Sequence, residues 1–248
     1  MGIAEKRPLT GSSNRKHNTE RLVANRFSRA VLLQNLRPED VGSILLGSSA
    51  RELRAGEWLY RQGERANRFF LLETGQIKIH RTTSEGREML LRLAGPGEIS
   101  GFSALLEHQC YNVSARAVCA SRAAMWSADS IRQLVLRYPQ LALNAYAVLF
   151  DSFVKFEERY RLLATEAVEC RIATTLAALV RHLGRETDRG TSVDGALSAQ
   201  DVADLSGTTI YSVSRVLSAW QRSGIIERGR GWIRVINLEA LLQKQSNT

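Results

Sequence analysis

The chain has 248 residues, of which 44% are hydrophobic and 24% are charged. This length and composition allow one or two ordinary hydrophobic cores with tails, and they exclude an intrinsically disordered protein. The formal net charge of +9 favours a polyanionic partner, because Lys and Arg side chains on a phosphate backbone release condensed counterions. The alternative is a basic surface that is merely solvated.

Several classes of protein are disfavoured by what the sequence lacks. No apolar run approaches the roughly 18 to 20 residues that cross a bilayer, and the polar, basic start differs from a signal peptide, so we expect a cytoplasmic protein without membrane contact. Cys110, Cys119 and Cys170 are odd in number and have no CxxC spacing, which argues against a disulfide framework or a zinc knuckle. We find no Ser-His-Asp ordering, phosphate-binding loop, HExxH motif or paired carboxylates, and we expect no enzyme activity.

The first 21 residues are polar and basic and predict a flexible tail. Leu32, Leu33 and Leu36 have one-face helical spacing, so we expect a short helical region between positions 23 and 46. Within it, Pro38 is followed by two acidic residues, a pattern typical of a helix start.

Between positions 54 and 127 the pattern changes to short β-like runs separated by glycines, as in an all-β domain. We predict strands over positions 58–60, 69–72, 77–80, 89–93, 115–119 and 123–126. In the third run Ile77 and Ile79 alternate with Lys78 and His80, which places His80 on the polar face with solvent as its partner.

A long helix is predicted to start at Tyr138-Pro139, because proline is tolerated in the first helical turn. From Ala142 to Leu163 its apolar residues alternate spacings of four and three, which is the repeat of a coiled-coil seam. Such a helix carries more apolar surface than one small domain covers, so we interpret the seam as a dimer interface; an intrachain core helix is the alternative. The residues assigned to this interface are Tyr146, Leu149, Phe153, Phe156, Tyr160 and Leu163.

Two shorter helices are predicted further along the chain. An amphipathic helix over positions 169–183 leads into a polar, glycine-bounded segment over 184–190, which we expect to be a loop. Ser198 and Asp201 then form a near capping box, so a second helix should begin at about Ala199 and stop at Gly207.

A third helix should run from about Thr208 to Arg222. Its apolar residues, expected to be buried, are Ile210, Val213, Val216, Leu217 and Trp220. A short helix, a glycine turn and a helix with outward hydroxyls and one arginine are the arrangement that fits a DNA major groove, whereas a plain helical hairpin is the alternative. Positions 227–235 add two short strands around a Gly/Arg tip, a basic wing that can contact phosphates. The predicted DNA contacts are Ser198, Thr208, Thr209, Tyr211, Ser212, Ser214, Arg215, Arg228 and Arg230.

This order of parts resembles the Crp/Fnr superfamily of bacterial regulators, from about Leu22 to Leu242. The resemblance implies an α+β protein: a flexible basic tail over 1–21, an N-terminal β-roll of the cyclic-nucleotide-binding, jelly-roll type with flanking helices over 22–137, a dimerisation helix over 138–166 and a C-terminal winged helix-turn-helix over 167–248. It also implies a homodimer that binds an inverted repeat in double-stranded DNA and acts with RNA polymerase.

The stretch from Ser206 to Arg215 looks like the recognition helix of the nitrite and nitric oxide reductase regulators of denitrifying bacteria. The Fnr-like pattern reads bases with a Glu, a Ser three residues on, and the next Arg. Ser214 and Arg215 match this pattern, but Tyr211 stands in the place of the Glu. Arg215 can still bind a guanine, while the acceptor for a cytosine amine is missing, so we expect an altered base pair opposite Tyr211.

The sensor region departs from the cyclic-nucleotide members of the superfamily, which hold the phosphate with an Arg-Ser pair and the ribose with a Glu just after a Gly. Here Phe102 follows Gly101, and no Arg-Ser pair stands near Asn112. Without that arginine we expect no cyclic AMP binding, although Arg116 could substitute if the register slipped. The effector pocket is assigned to Gly101, Phe102, Ser103, Asn112 and Val113.

Among cofactors, an iron-sulfur cluster is disfavoured because the family uses N-terminal cysteines and positions 1–109 contain none. Haem stays open, with His80 and His108 as candidate ligands, although solvated histidines are the alternative. We therefore expect a DNA-binding regulator that responds to nitric oxide, oxygen limitation or a related signal. The alternative is a cyclic-nucleotide-responsive regulator with a diverged pocket.

Overall fold

The computed structural model describes Phe27, residues 30–194 and residues 197–245. The predicted tail over positions 1–21 lies outside the described residues, as does the start of the predicted helical region. In the described part that region contains a 3₁₀ turn, Val31–Leu33, and helix α1, Pro38–Leu46. Helix α1 begins at the predicted proline.

The N-terminal half is a β-sandwich built from two antiparallel sheets. In the described residues one sheet has the strand order β1-β8-β3-β6 and the other has the order β2-β7-β4-β5. The strands are β1 (Ser49–Leu53), β2 (Trp58–Tyr60), β3 (Arg68–Thr74), β4 (Ile77–Thr82), β5 (Glu88–Ala94), β6 (Ile99–Ser100), β7 (Ser114–Ala117) and β8 (Ser121–Ser127). A 3₁₀ turn, Phe102–Leu105, lies between β6 and β7.

All six predicted strands are confirmed, and their apolar residues fill the space between the sheets. Phe69, Leu71, Ile77 and Trp126 are almost fully buried. The sequence analysis missed β1, four of whose five residues are exposed, and β6, which has only two residues. Neither strand is long or alternating enough to give a periodic signal.

The prediction that His80 faces solvent was wrong. The pairing of β4 with β7 has no register shift, so His80 does share a face with Lys78 as the alternation predicted. That face is covered, however: His80 is 8% exposed, and Lys78 binds Asp201 of the C-terminal half at 2.7 Å. The C-terminal half, rather than solvent, therefore covers this face of the sheet.

Two consecutive helices follow the sandwich. Helix α2, Ala128–Arg137, was not predicted, while α3, Pro139–Thr165, starts at the predicted proline. The 27 residues of α3 make a helix about 40 Å long. Its first turns pack on the sandwich, where the buried Asn144 amide donates to the carbonyl oxygens of Leu32 at 2.8 Å and Gln34 at 2.7 Å.

The C-terminal half alternates helices and short strands. Its elements are α4 (Val168–Leu183), β9 (Arg185–Thr187), β10 (Gly190–Asp194), α5 (Ala199–Ser206), α6 (Ile210–Arg222), β11 (Ile226–Gly229), β12 (Trp232–Val235) and α7 (Leu238–Gln243). The four strands form one sheet in the order β11-β12-β10-β9.

The loop predicted over positions 184–190 was wrong, because β9 and the start of β10 form a hairpin there. Strand β10 pairs with β12 and so extends the sheet of the wing. Two of the three residues of β9 are exposed at the edge of this sheet, so their side chains are polar and give no hydrophobic alternation.

The second hydrophobic core lies between α4, α5, α6 and this sheet. It contains Ile172, Val202, Val213 and Trp220, together with Leu90 of strand β5 in the sandwich. The two halves of the chain are therefore packed against each other through apolar side chains as well as ion pairs.

Candidate nucleic-acid interface and sensor region

The helix-turn-helix forms as the local sequence requires. The Ser198 side chain accepts from the backbone N–H of Asp201 at 3.1 Å, and the Asp201 carboxylate accepts from the Ser198 N–H at 2.7 Å, so the predicted capping box is complete. Helix α5 ends at Gly207, whose φ of +62° is the left-handed conformation that favours glycine. The Thr209 side chain then caps α6 by accepting from the N–H of Ser212 at 3.2 Å.

Helix α6 buries one side and exposes the side predicted to read bases. Val213 and Leu217 are buried, whereas Tyr211 is 84% exposed and Arg215 is also exposed. Ser212 and Ser214 are half-buried beside them, as is Thr208 at the turn. The prediction that Ile210 is buried was wrong: it is 39% exposed, because the first residue of α6 lies at the open end of the helix.

The wing forms beside α6, with the exposed Arg230 at its tip. Arg228 has a different position, since its guanidinium donates to Gln221 Oε1 at 3.1 Å and to Ser218 Oγ at 2.9 Å on α6. It therefore fixes the wing against the recognition helix. A cavity of about 310 Å³ between wing and helices is lined by Ser198, Arg228 and Trp232, among others.

The predicted dimer seam is exposed along α3. Tyr146, Phe156 and Tyr160 are 65–68% exposed, although they are large and apolar. Leu149, Phe153 and Leu163 of the seam are exposed as well, and Phe150 and Val154 extend the exposed apolar surface. Exposed aromatic surface of this extent on one helix is typical of a subunit interface.

Two buried tyrosines lie beside Gly101 of the assigned effector pocket. The rings of Tyr60 and Tyr111 stack with centroids 4.0 Å apart, and the Tyr60 hydroxyl lies 2.5 Å from Ser100 Oγ. Burial raises the pKa of Tyr60, and it raises the pKa of Tyr111 to about 12, so both phenols are neutral at physiological pH. The Tyr111 hydroxyl donates to the Arg68 carbonyl at 2.8 Å.

The residues assigned to that pocket are not all brought together. Gly101 is buried with φ +83°, and a Cβ there would lie 2.7 Å from the Arg68 carbonyl. The Phe102 ring packs edge-on against Phe69, with centroids 6.1 Å apart. Ser103 and Val113 are half-buried, but Asn112 is exposed.

Arg116 does not enter this region, so the register slip that would make it a phosphate ligand does not occur. Its Nε donates to the Gly56 carbonyl at 3.0 Å, and its guanidinium lies over the Trp58 ring. In the described pairing Arg116 is opposite Lys78, on the outer face of the sheet. A cation on that face cannot neutralise an anion held between the two sheets.

The two candidate haem ligands have different surroundings. His108 is exposed in a turn with φ +56°. His80 is buried, its ring lies edge-on to Trp58 at 6.4 Å, and its Nδ1 has no hydrogen-bond partner in the described structure. Over residues 30–194 and 197–245 no three or more His, Cys, Asp or Glu side chains are grouped to hold a metal ion.

Comparisons with known proteins agree with this architecture. Residues 50–138 match the family model of the cyclic nucleotide-binding domain, and residues 170–244 match that of the Crp-like helix-turn-helix domain. The cyclic AMP receptor protein of Thermus thermophilus is 29% identical over 204 residues, which cover 82% of this chain and 91% of that protein. The transcriptional activator protein anr of Pseudomonas aeruginosa is 27% identical, with 77% of this chain and 79% of that protein covered.

The chain belongs to the Crp/Fnr family of transcription regulators. The structure of FixK2 from Bradyrhizobium japonicum shares its fold, with a TM-score of 0.68 at 23% identity, covering 81% of this chain and 98% of that one. The expected α+β fold, with an N-terminal β-sandwich, a long helix and a C-terminal helix-turn-helix, is thus confirmed.

This Crp/Fnr regulator is similar to transcriptional regulators, not to enzymes. Of the helices that the structure describes, none combines the length and apolarity that a membrane span requires. DNA is the partner that the helix-turn-helix match and the exposed face of α6 support.

Several residues that connect the parts of this regulator were missed by the sequence analysis. Arg159 of α3, Arg171 of α4 and Asp204 of α5 each contact another element through a buried or half-buried side chain. Arg159 stands beside the coiled-coil seam and reads as an ordinary flanking charge. The spacing of the seam places Arg159 beside the apolar residues of the helix, but it does not show which other element the Arg159 side chain contacts.

Proposed function

We propose that this Crp/Fnr regulator acts as a homodimer that binds an inverted repeat in double-stranded DNA and contacts RNA polymerase. One observation supports the proposal most: a single chain exposes both an aromatic seam on α3 and the reading face of α6. Pairing two chains along the seam buries the first surface and presents two copies of the second. Two recognition helices can then meet successive major-groove faces about 34 Å apart.

The proposed domains are a sensor over positions 22–137, a dimerisation helix over 138–166 and a DNA-binding domain over 167–248. It is supported by the ends of α3 at Pro139 and Thr165. The proposed DNA contacts are divided by role. Arg215, Ser214 and Tyr211 face the bases, whereas Arg230 contacts phosphates and Arg228 positions the wing.

For the inducing signal, we propose nitric oxide, oxygen limitation or a related signal rather than cyclic AMP. The stacked pair of Tyr60 and Tyr111, together with Phe102 in place of the ribose-binding acid, supports the exclusion of a nucleotide. A response to nitric oxide, oxygen limitation or a related signal is supported by the resemblance of α6 to the recognition helix of regulators of nitrite and nitric oxide reductases. Mapping of bound genomic sites with and without nitric oxide or low oxygen tests it, and an occupancy that no such condition changes would contradict it.

A cyclic-nucleotide response is the second candidate, favoured by the identity to a protein named as a cyclic AMP receptor. Isothermal calorimetry with cyclic AMP and cyclic GMP decides between the two. Heat of micromolar binding would overturn our proposal, whereas no heat at either nucleotide would support it.

Haem as a cofactor fits the structure poorly. His80 is buried beside Trp58, on the sheet face where Lys78 pairs with Asp201 of the C-terminal half, so that half would have to move before the ring could bind iron. His108 is accessible, but in the described residues it belongs to no group of three or more His, Cys, Asp or Glu side chains that could hold a metal ion. Absorbance spectra of the protein with added haem, compared between wild type and the His80 and His108 variants, check this poor fit.

A further inference from the structure

The DNA-binding half is attached to the sensor at the edge strand β5. This strand is the last in the order β2-β7-β4-β5, and its pairing with β4 skips Leu91, since Ile79 pairs with Arg92 and His80 with Leu90. A bulge in an edge strand leaves backbone groups that need partners from outside the sheet. Two of these backbone groups bind charged side chains. The Leu90 N–H donates to the Asp204 carboxylate at 3.0 Å, and the Leu91 carbonyl accepts from Arg159 at 3.1 Å.

Asp204 is the buried acid of this contact, with its side chain 5% exposed. Besides the Leu90 N–H, its carboxylate accepts from Arg87 at 3.1 Å and from the Gln200 amide at 2.8 Å. Three donors therefore converge on one carboxylate. Two of them belong to the sensor, so removing this carboxylate would leave the sensor's own groups unpaired.

Arg159 joins three elements. It extends from α3, donates to the Leu91 carbonyl of β5 and also donates to the backbone carbonyl of Asp204 near the end of α5. The last carbonyls of a helix have no partner within the helix and attract cations. Arg171 of α4 binds two more of them, the carbonyls of Ser206 at 3.1 Å and Gly207 at 3.2 Å. Two arginines thus cap the turn of the helix-turn-helix.

Further contacts extend the same surface along the sensor. Lys78 and Asp201 form an ion pair with both side chains less than 20% exposed. His182 lies 3.2 Å from Glu98. Burial alone would raise the pKa of Glu98, but the hydrogen bond from His182 and the charge of Arg92 lower it. None of these contacts covers the reading face of α6, where Tyr211 is 84% exposed.

We propose that Arg159 and Asp204 are positioning residues, which hold the helix-turn-helix at one orientation relative to the dimer helix and the sensor. In a dimer this junction fixes the separation of the two recognition helices. The inference rests on the proposed dimeric function, and it gives the mechanical link through which the sensor affects DNA binding. When the junction is broken, the DNA-binding domain samples other orientations, and the apparent Kd rises by the reciprocal of the competent fraction.

The test uses the full-length protein and a DNA site selected from a random pool by the wild type. The variants are Asp204→Asn, Arg159→Met and Arg87→Ala. Arg87 lies in the sensor and its side chain is 63% exposed, so its loss leaves the core of the DNA-binding domain intact. Arg161→Met is the matched control, because Arg161 lies on the same helix, and among the described residues its guanidinium donates to the neighbouring Glu158, Thr165 and Glu166 rather than to the sensor or the helix-turn-helix.

We expect the Asp204 and Arg159 variants to bind the selected repeat about tenfold more weakly, and Arg87→Ala to show a smaller loss in the same direction. When the half-sites of the repeat are moved apart by about one base pair, the affinity of the wild type should fall strongly, and the affinity of these variants should fall less. Loss of spacing discrimination is a readout that simple destabilisation of the fold does not produce. The dimer mass and the Arg161→Met variant should match the wild type.

Unchanged or tighter binding by both Asp204→Asn and Arg159→Met, with spacing discrimination retained, would overturn the inference while leaving the proposed function intact. If the wild type selects no inverted repeat, the proposed function itself fails. If Asp204→Asn does not fold, Arg87→Ala decides, because full affinity and full spacing discrimination in that variant contradict the positioning role.

Discussion

Gly207, in the turn of the helix-turn-helix, lies directly against Leu163 at the end of the dimer helix. A Cβ added at Gly207 would clash with the Leu163 side chain, and the glycine also has a φ of +62°. The DNA-binding turn and the last residue of the seam are therefore in van der Waals contact within one chain. Leu163, assigned from the sequence to the dimer interface, has this second role in addition.

We expect Gly207→Ala to destabilise the protein by about 2–3 kcal/mol, from left-handed backbone strain and overpacking against Leu163. Gly224→Ala is the matched control, since Gly224 has φ +71° but nothing within 4 Å of its Cβ position. It should lose only the strain contribution of about 1–2 kcal/mol. Chemical denaturation of both variants measures the difference, and equal losses would show that the contact with Leu163 does not matter.

The aromatic seam of α3 makes a prediction about assembly. Phe153→Glu combined with Phe156→Glu should yield monomers that no longer bind an inverted repeat, because charges would be buried without partners in the interface. Sedimentation and DNA titration measure both effects. Lys155→Glu makes the same change in net charge beside the seam and breaks only its exposed ion pair with Asp151. That control should remain dimeric; a dimeric double variant with full affinity would contradict the scheme.

The exposed Arg215 and Arg230 should contribute to DNA binding in different ways. Arg215→Ala should weaken specific binding by about 1–3 kcal/mol and relax selectivity at one base position, because a bidentate contact to guanine is lost. Arg230→Ala should weaken binding to all sequences alike and reduce the salt dependence by about one ion. Titrations at several salt concentrations distinguish the two, and identical behaviour would refute the division into base and phosphate contacts.

Tyr211 offers a separate test of specificity. Since its side chain is 84% exposed, Tyr211→Glu should leave stability unchanged while restoring an acceptor for a cytosine amine. We expect selection from a random pool to return an Fnr-like half-site for this variant and a different base pair at that position for the wild type. An unaltered Fnr consensus from the wild type would count against the assignment.

Burial lowers the pKa of His80 below its ordinary value of 6.5; the charges facing it are Glu88 and Asp201, which raise it, and Lys78 and Arg116, which lower it. Between the folded and unfolded pKa values the unfolded chain binds more protons, so stability rises with pH in this range. We expect Tm to fall as the pH is lowered from about 7.5 to about 5.5, and to fall less in His80→Gln.

The control for this pH series is His108→Gln, since His108 is exposed and lies in a turn. It should follow the wild-type curve. The remaining histidines contribute equally to all three proteins, so the difference between the curves isolates His80. Superimposed curves for wild type and His80→Gln would show that the buried ring does not resist protonation.

Local signals in the sequence were sufficient for most elements. The capping box at Ser198, the turn at Gly207 and the helix that starts at Pro139 each depend on neighbours within one or two turns, and each formed as expected. The hairpin over β9 and β10 was missed because β9 is a polar edge strand without hydrophobic alternation, and β10 is held by its pairing with β12 of the wing rather than by its own pattern.

What the sequence alone determined is most of the elements, their order and, for the strongly periodic ones, the side that must be buried, because helical and strand periodicity are properties of short segments. Only the tertiary structure decided that α5 packs on the His80 face of the sheet, that Tyr60 and Tyr111 stack beside Gly101, and that Arg159 and Asp204 join three elements. These contacts link residues far apart in the chain, and no local sequence pattern encodes which two surfaces will pack against each other.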